Sequence, residues 1–311
     1  MRLPFLAVAS VGLSVIALSV VACVEADVGG VRPDAGADAG ASTDTGAPLS
    51  DSGGLDGSLT DGAVITDGDV LFLDGSAIEA TNEFITAWPD AKGRAKFKPT
   101  GGSAPAVVAF GASKTRCASF AVGTSSLLDP TTSAIQLGDE YSVTLKLVRG
   151  AEADQRDDGI APFGKVKLYA GEDHMRNYNG FAFLSDYQDP GAGERSRRFA
   201  GRFNYVLGAS AKDIVEPTAR TEADQRFVVT FKRRGADAVL LVRAPNEVTG
   251  VTRATGFGTI VEPEAAITLG STRTDNDDAT KFDGLLCTVI VHVGPETDEA
   301  LEARIEKLKW Q

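Results

Sequence analysis

Three cysteines, two histidines and two tryptophans in 311 residues leave little material for thiol or imidazole chemistry. With His174 and His292 as the sole histidines and no Gly-x-Ser-x-Gly elbow, the usual serine- and cysteine-nucleophile constellations have nothing to build on. A basic excess is absent as well: the formal net charge is −12, so there is no cationic footprint for nucleic acid. A helical apolar period is missing from nearly the whole chain, and beyond Leu3 to Val21 there is no long apolar run.

What is present is unevenly distributed. Arg2, the apolar stretch from Leu3 to Val21 and the small residues before Cys23 form the charged, apolar and small-residue series of an export signal. The stretch is close to spanning length, but Pro4, Ser10, Gly12, Ser14 and Ser19 interrupt it and Cys23 follows directly. Residues 24–68 then hold nine acids, one base (Arg32) and no aromatic residue. Such a segment cannot bury enough surface to offset its ordering entropy and is expected to be a disordered linker. Its Asp56-Gly57, Asp61-Gly62 and Asp67-Gly68 pairs lack the alternating ligand spacing of a calcium loop. A flexible chain of about 45 residues reaches roughly 35 to 40 Å, which makes it a spacer. The body, 69–311, carries the remaining charge of about −5 once the tail and Arg2 are set aside.

The body reads as short strands separated by Gly, Pro, Asn and Asp. Tyr141, Val143, Leu145 and Leu147 alternate with Ser142, Thr144 and Lys146, and Phe227, Val229 and Phe231 with Val228, Thr230 and Lys232. That period of two predicts strands with one buried face. Further strands are expected at 70–73, 84–88, 106–110, 116–122, 166–170, 181–184, 202–207, 238–243, 266–269 and 285–293. The one helical pattern comes last, with Thr297 as cap, Asp298 and Glu299 in the first turn, Leu301, Ile305 and Leu308 on one stripe, and Lys307 and Lys309 at the end. The fold class expected is all-β, an antiparallel sandwich with a short C-terminal helix.

Two resemblances add to this. Val20-Val21-Ala22-Cys23 resembles the lipobox of bacterial lipoproteins, which implies that residues 1–22 are removed and that the Cys23 sulfur carries a diacylglycerol. In that family an Asp after the cysteine retains the protein at the inner membrane; here Val24 stands there, which implies an outer-membrane or cell-surface location. Leu71-Phe72-Leu73-Asp74 followed by Trp88-Pro89-Asp90-Ala91-Lys92-Gly93 resembles the opening of a laminin-G-like, concanavalin A-like lectin/glucanase domain. Ile267-Thr268-Leu269-Gly270, Phe282-Asp283-Gly284, the strand after it and the closing Lys307-Leu308-Lys309-Trp310 resemble its end. The likeness implies a jelly roll in which early and final strands lie close, so that Cys117 and Cys287 form a disulfide; two buried thiols are the alternative reading of the residues.

Glucanases of this fold use two glutamates flanking an aspartate, and Glu152-Ala153-Asp154-Gln155-Arg156-Asp157 departs from that pattern at Asp157. No residue is therefore assigned a catalytic role, and a solvated acidic turn is expected there. His292 is placed in a strand as a structural residue, and Trp88 and Trp310 in packing. Binding in such domains is expected on rim loops, often with calcium. Asp275, Asp277 and Asp278 offer hard oxygen ligands for calcium, a solvated hairpin tip being the alternative. Tyr178, Asn179, Asp186 and Tyr187 combine amide, acid and aromatic groups suited to a sugar face. Three functions follow: a lipid-tethered lectin-like module for a glycan or protein partner, a structural lipoprotein without glycan binding, and a glycoside hydrolase.

Overall fold

In the computed structural model the chain divides into two units, 1–56 and 57–311. The described residues are 66–121, 123–150, 160–168, 178–187, 198–203, 212–217, 226–258, 264–272 and 281–310. Cys23, the tail ahead of Thr66, Glu152 to Asp157 and Asp275 to Asp278 lie outside them.

Among the described residues the body is nearly all strand. The first part holds β1 (Asp69–Asp74), β2 (Glu79–Thr81), β3 (Phe84–Pro89), β4 (Lys96–Pro99), β5 (Ala106–Phe110), β6 (Thr115–Phe120) and β7 (Leu127–Leu128). The middle holds β8 (Glu140–Arg149), β9 (Phe163–Leu168), β10 (Tyr178–Leu184), β11 (Ala200–Phe203) and β12 (Lys212–Val215). The last part holds β13 (Arg226–Arg234), β14 (Asp237–Arg243), β15 (Gly250–Ala254), β16 (Thr268–Leu269) and β17 (Gly284–Val293), followed by helix α1 (Asp298–Leu308).

The strands pair antiparallel in two runs. One is β15–β14–β13–β8–β17, and the far edge of β17 is shared in succession by β1 and β6, with β5 beyond β6. The other is β4–β7–β16–β9–β10–β11–β12. Strand β3 joins them, pairing Phe84 with Ala106 of β5 and Trp88 with Phe97 of β4, so that all the strands link into one sheet. Because β12 comes back alongside β14 and β15, that sheet is nearly closed.

The alternation explains the core. Tyr141, Val143, Leu145 and Leu147 of β8 and Phe227, Val229 and Phe231 of β13 meet Phe163, Phe181, Phe183 and Phe203 from the other run. The Phe181 ring sits 4.7 Å from that of Phe231 and 5.7 Å from that of Tyr141, so the two runs touch through aromatic contacts.

The expectation of one buried face does not hold for β8 and β13, which, like β17, are buried on both. Helix α1 is the reason: Leu301, Ile305, Leu308 and the following Trp310 pack on Phe72, Cys117, Val148, Val228, Leu241, Cys287 and Ile290. Several polar residues in alternate positions find partners beneath it. Thr144 Oγ1 and Thr230 Oγ1 lie 2.9 Å apart, Lys146 Nζ sits 4.8 Å over the Trp310 ring, and Trp310 Nε1–H donates to Phe227 O. The helix starts as its sequence prescribes, Thr297 Oγ1 accepting from Ala300 N at 3.2 Å.

The cysteine pair is bonded. Cys117 of β6 and Cys287 of β17 form a disulfide with Cα atoms 4.1 Å apart. Cys287 falls where the edge of β17 passes from β1, which ends opposite Thr288, to β6, which begins opposite Leu286. The Trp88 to Gly93 motif serves the architecture by closing the outer edge of β1. Phe72 N donates to Asp90 Oδ1 at 2.7 Å and Ala91 N to Phe72 O at 2.8 Å, while Trp88 Nε1 donates to Asp74 O. Gly284 is required at φ +140°, where an added Cβ would strike Val148 O.

Candidate functional site

The body has two ends defined by β8 and β17. Antiparallel pairing puts Arg149 beside Gly284 at one end and Tyr141 beside Val293 at the other, about 26 Å away along β8 at roughly 3.3 Å per residue.

Connections gather at the Arg149 end. Gly150 N donates to Asp283 O, Ser185 N to Ile160 O, Tyr187 N to Arg198 O and Glu216 N to Phe199 O, while Ala161 bridges to Lys281 and Arg226 pairs with Val148. The flanks of segments 151–159, 188–197, 218–225 and 273–280 are thus all held here. Asp186 and Tyr187 belong to this end. Tyr178 and Asn179 pair with Leu168 and Lys167 at the opposite end of β10, about 25 Å away along the strand. The calcium candidates Asp275, Asp277 and Asp278 and the Glu152 to Asp157 segment lie outside the described residues, on segments flanked by this end.

At its base sits Arg149. The positions of β8 that face the core run Tyr141, Val143, Leu145, Leu147 and then Arg149, a cation in phase with the apolar series. Its guanidinium carbon lies 5.1 Å from the Phe199 ring and 4.9 Å from that of Phe227, wholly buried. Nη1 donates to Ser185 O at 3.3 Å and stands 3.8 Å from Asp186 Oδ1. Two aromatic faces and a carboxylate therefore compensate the desolvation of this charge. Beside it, Arg202 donates from Nε and Nη2 to Asp213 Oδ2 at 3.1 and 3.0 Å, with its guanidinium carbon 5.2 Å from the Tyr187 ring. Tyr187 also leans on an outer-face patch of Ala161, Ala182, Leu184 and Ala200. This end thus holds the Asp186 carboxylate over the buried Arg149 and, on the outer face, the half-buried Tyr187 ring beside Arg202. Arg202, Asp213 and the buried Lys281 and Glu216 were not foreseen from sequence. The in-phase position of Arg149 was the signal available. Among the described residues no three His, Cys, Asp or Glu side chains group to hold a metal ion.

The Asp69 end is built differently. Asp69 Oδ1 accepts from Arg304 Nη2 at 2.8 Å and lies 3.0 Å from His292 Nδ1, and its Oδ2 accepts from Thr66 N at 2.7 Å. Arg304 also meets Glu296 at 2.8 Å, and Glu296 accepts from Ser142 Oγ. Burial would raise the Asp69 carboxyl, but hydrogen bonds from His292 and Thr66 and the Arg304 charge outweigh it and hold it below the usual carboxylate range. Thr66 Oγ1 and Asp69 both approach Nδ1 of His292, whereas a nucleophile–base–acid relay needs opposite ring nitrogens; this is a structural junction, as expected for His292.

No protein-family model matches the chain, and no curated protein matches it. Solved structures are similar at low identity. A GH54 α-L-arabinofuranosidase soaked with a cyclic sulfate inhibitor matches with a TM-score of 0.49 and 11% identity, over 72% of this chain and 50% of that one. Trypanosoma rangeli sialidase in complex with 2,3-difluorosialic acid matches with a TM-score of 0.42 and 13% identity, over 79% and 33% of the two chains. The CBM40 of Ruminococcus gnavus IT-sialidase bound to α2,3-sialyllactose matches with a TM-score of 0.37 and 12% identity, over 57% and 87%. The chain spans about half the length of the arabinofuranosidase it matches.

Proposed function

We propose that the chain is a membrane-tethered, non-catalytic glycan-binding module. Cys23 carries the lipid at the outer membrane, residues 24–68 act as the spacer, and the body is a jelly roll of the laminin-G-like, concanavalin A-like kind. The observation that carries the reading is the separation of ends: the chain from the tail joins the body at Asp69, beside His292, whereas the connections gather around Arg149, beside Gly284. A ligand taken at the Arg149 end is held at the end of β17 opposite the point where Asp69 begins the body. There Tyr187 offers a ring for the apolar face of a sugar and Asp186 a carboxylate for its hydroxyls, and Asp275, Asp277 and Asp278 are the proposed calcium ligands.

A glycan array probed with the full chain, with and without calcium, tests this. Binding that weakens at least about tenfold in Tyr187→Ala or Asp186→Asn is the expected result, since each removes an interaction of roughly 1–3 kcal/mol. A clean negative under both conditions supports a scaffold or a protein partner instead, and sugar release lost in Glu152→Gln supports a hydrolase. Replacing Cys23 with Ser is expected to release the chain from the membrane with the body still folded.

A further inference from the structure

We infer a mechanical function: the body is built to carry tension between the tether and a ligand held at the Arg149 end, with β1 loaded in shear. The inference rests on the proposed tether and ligand end, but its geometry stands on the strands themselves. Strand β1 pairs antiparallel with β17, Asp69 opposite His292 and Asp74 opposite Thr288. A pull on Thr66 against the Gly284 end of β17 acts along the strand axes. The ladder bonds are then loaded together, whereas a pull against a point at the Asp69 end peels them one at a time.

The remaining contacts of β1 add to that resistance. Its outer edge is closed by the Asp90 turn, through Phe72 N to Asp90 Oδ1 and Ala91 N to Phe72 O. Lys92 Nζ grips Thr66 O at 2.8 Å and Asp69 O at 3.0 Å, and Arg94 Nη2 grips Asp69 O at 2.7 Å. The Asp69 side chain ties the same point to β17 through His292 and to α1 through Arg304. Gly68 packs so closely on the His292 ring that a Cβ would overlap it, and Val293 N donates to Gly68 O. Just past the far end of β1, the Cys117–Cys287 bond joins β6 to β17, so the strand resisting the pull is itself fixed. Thr66 to Asp69 is thus a clasp in which backbone, side chains and three separate elements share the load.

Single-molecule force spectroscopy on the full chain tests this, with one handle on the tail ahead of Thr66 and the other on Pro217→Cys (Arg149 end) or Ala236→Cys (Asp69 end), both exposed positions. Forced unfolding reads the unfolding rate, and the expected result is a force about twofold or more higher for the Pro217 handle. Asp69→Asn and Arg304→Gln are each expected to raise the unfolding rate about tenfold in the Pro217 geometry while keeping the wild-type circular dichroism. Arg304→Gln keeps the test open if Asp69→Asn does not fold. Equal forces in the two geometries, or folded variants unfolding at the wild-type rate, overturn the inference. The glycan array separates the two readings: a negative array with the force asymmetry intact removes the ligand and leaves the clasp, and the converse removes the clasp alone.

Discussion

The Asp69 end and the Arg149 end of the body use buried charge for opposite purposes. At the Asp69 end, one carboxylate gathers a backbone N–H, a histidine and an arginine from three parts of the chain and fixes where the body begins. At the Arg149 end, one guanidinium is clamped between two phenyl rings, and the carboxylate it faces belongs to Asp186, at the margin of the connections. One charge cluster closes a structure; the other leaves a polar surface beside a ring.

That contrast can be broken in order of effect. Replacing both Cys117 and Cys287 with Ala removes a bond closing a sequence separation of 170 residues. It should cost roughly 4 to 5 kcal/mol in denaturant unfolding, the chain-entropy figure for so long a loop. Asp69→Ala leaves Arg304 only Glu296 and removes the acceptor of Thr66 N; it is expected to cost about 3 kcal/mol by thermal unfolding, leaving ligand affinity of the folded fraction unchanged. Arg149→Met should cost less, roughly 2 kcal/mol, because Asp186 retains some exposure; unlike the Asp69 change, it should also weaken binding on the array. Thr297→Ala removes one helix cap and should cost about 1 kcal/mol.

Acid sharpens the same comparison. Asp69, Asp129 and Asp298 all titrate below their ordinary value of 3.8 in the folded chain. For Asp129, burial opposes the shift and the hydrogen bonds from Lys96 N and Thr131 overcome it; for Asp298, hydrogen bonds from Lys232 and Arg253 lead. A depressed folded pKa contributes stability that is full above the unfolded value and is lost as pH falls through the folded one. Unfolding free energy should therefore decline below about pH 4. The decline should be shallower in Asp69→Asn, which urea titrations at successive pH values would measure.

The fold was legible where burial follows a period. The alternating series Tyr141 to Leu147 and Phe227 to Phe231 and the Thr297-capped helix sit where alternation and capping place them. Strands β4 and β12 were not foreseen, because Lys96-Phe97-Lys98-Pro99 and Lys212-Asp213-Ile214-Val215 offer too few apolar positions for a period and are strands by virtue of their neighbours. The burial of Ser142, Thr144 and Lys146 was hidden for a related reason: a helix more than 150 residues later covers them, and no local pattern carries that fact. The four residues read as a sugar face do not lie together. Asp186 and Tyr187 stood out as turn-rich polar sequence, but turn chemistry also drew in Tyr178 and Asn179, which the β10 strand carries to the other end.

In the proposed function one end of the body is fixed and the other binds. Conjugating a bulky polymer to Pro217→Cys or to Ala236→Cys and measuring each on the same glycan array tests it most directly. The account predicts that the Pro217 conjugate loses binding and the Ala236 conjugate keeps it. Binding that survives at Pro217 and is lost at Ala236 would contradict the account.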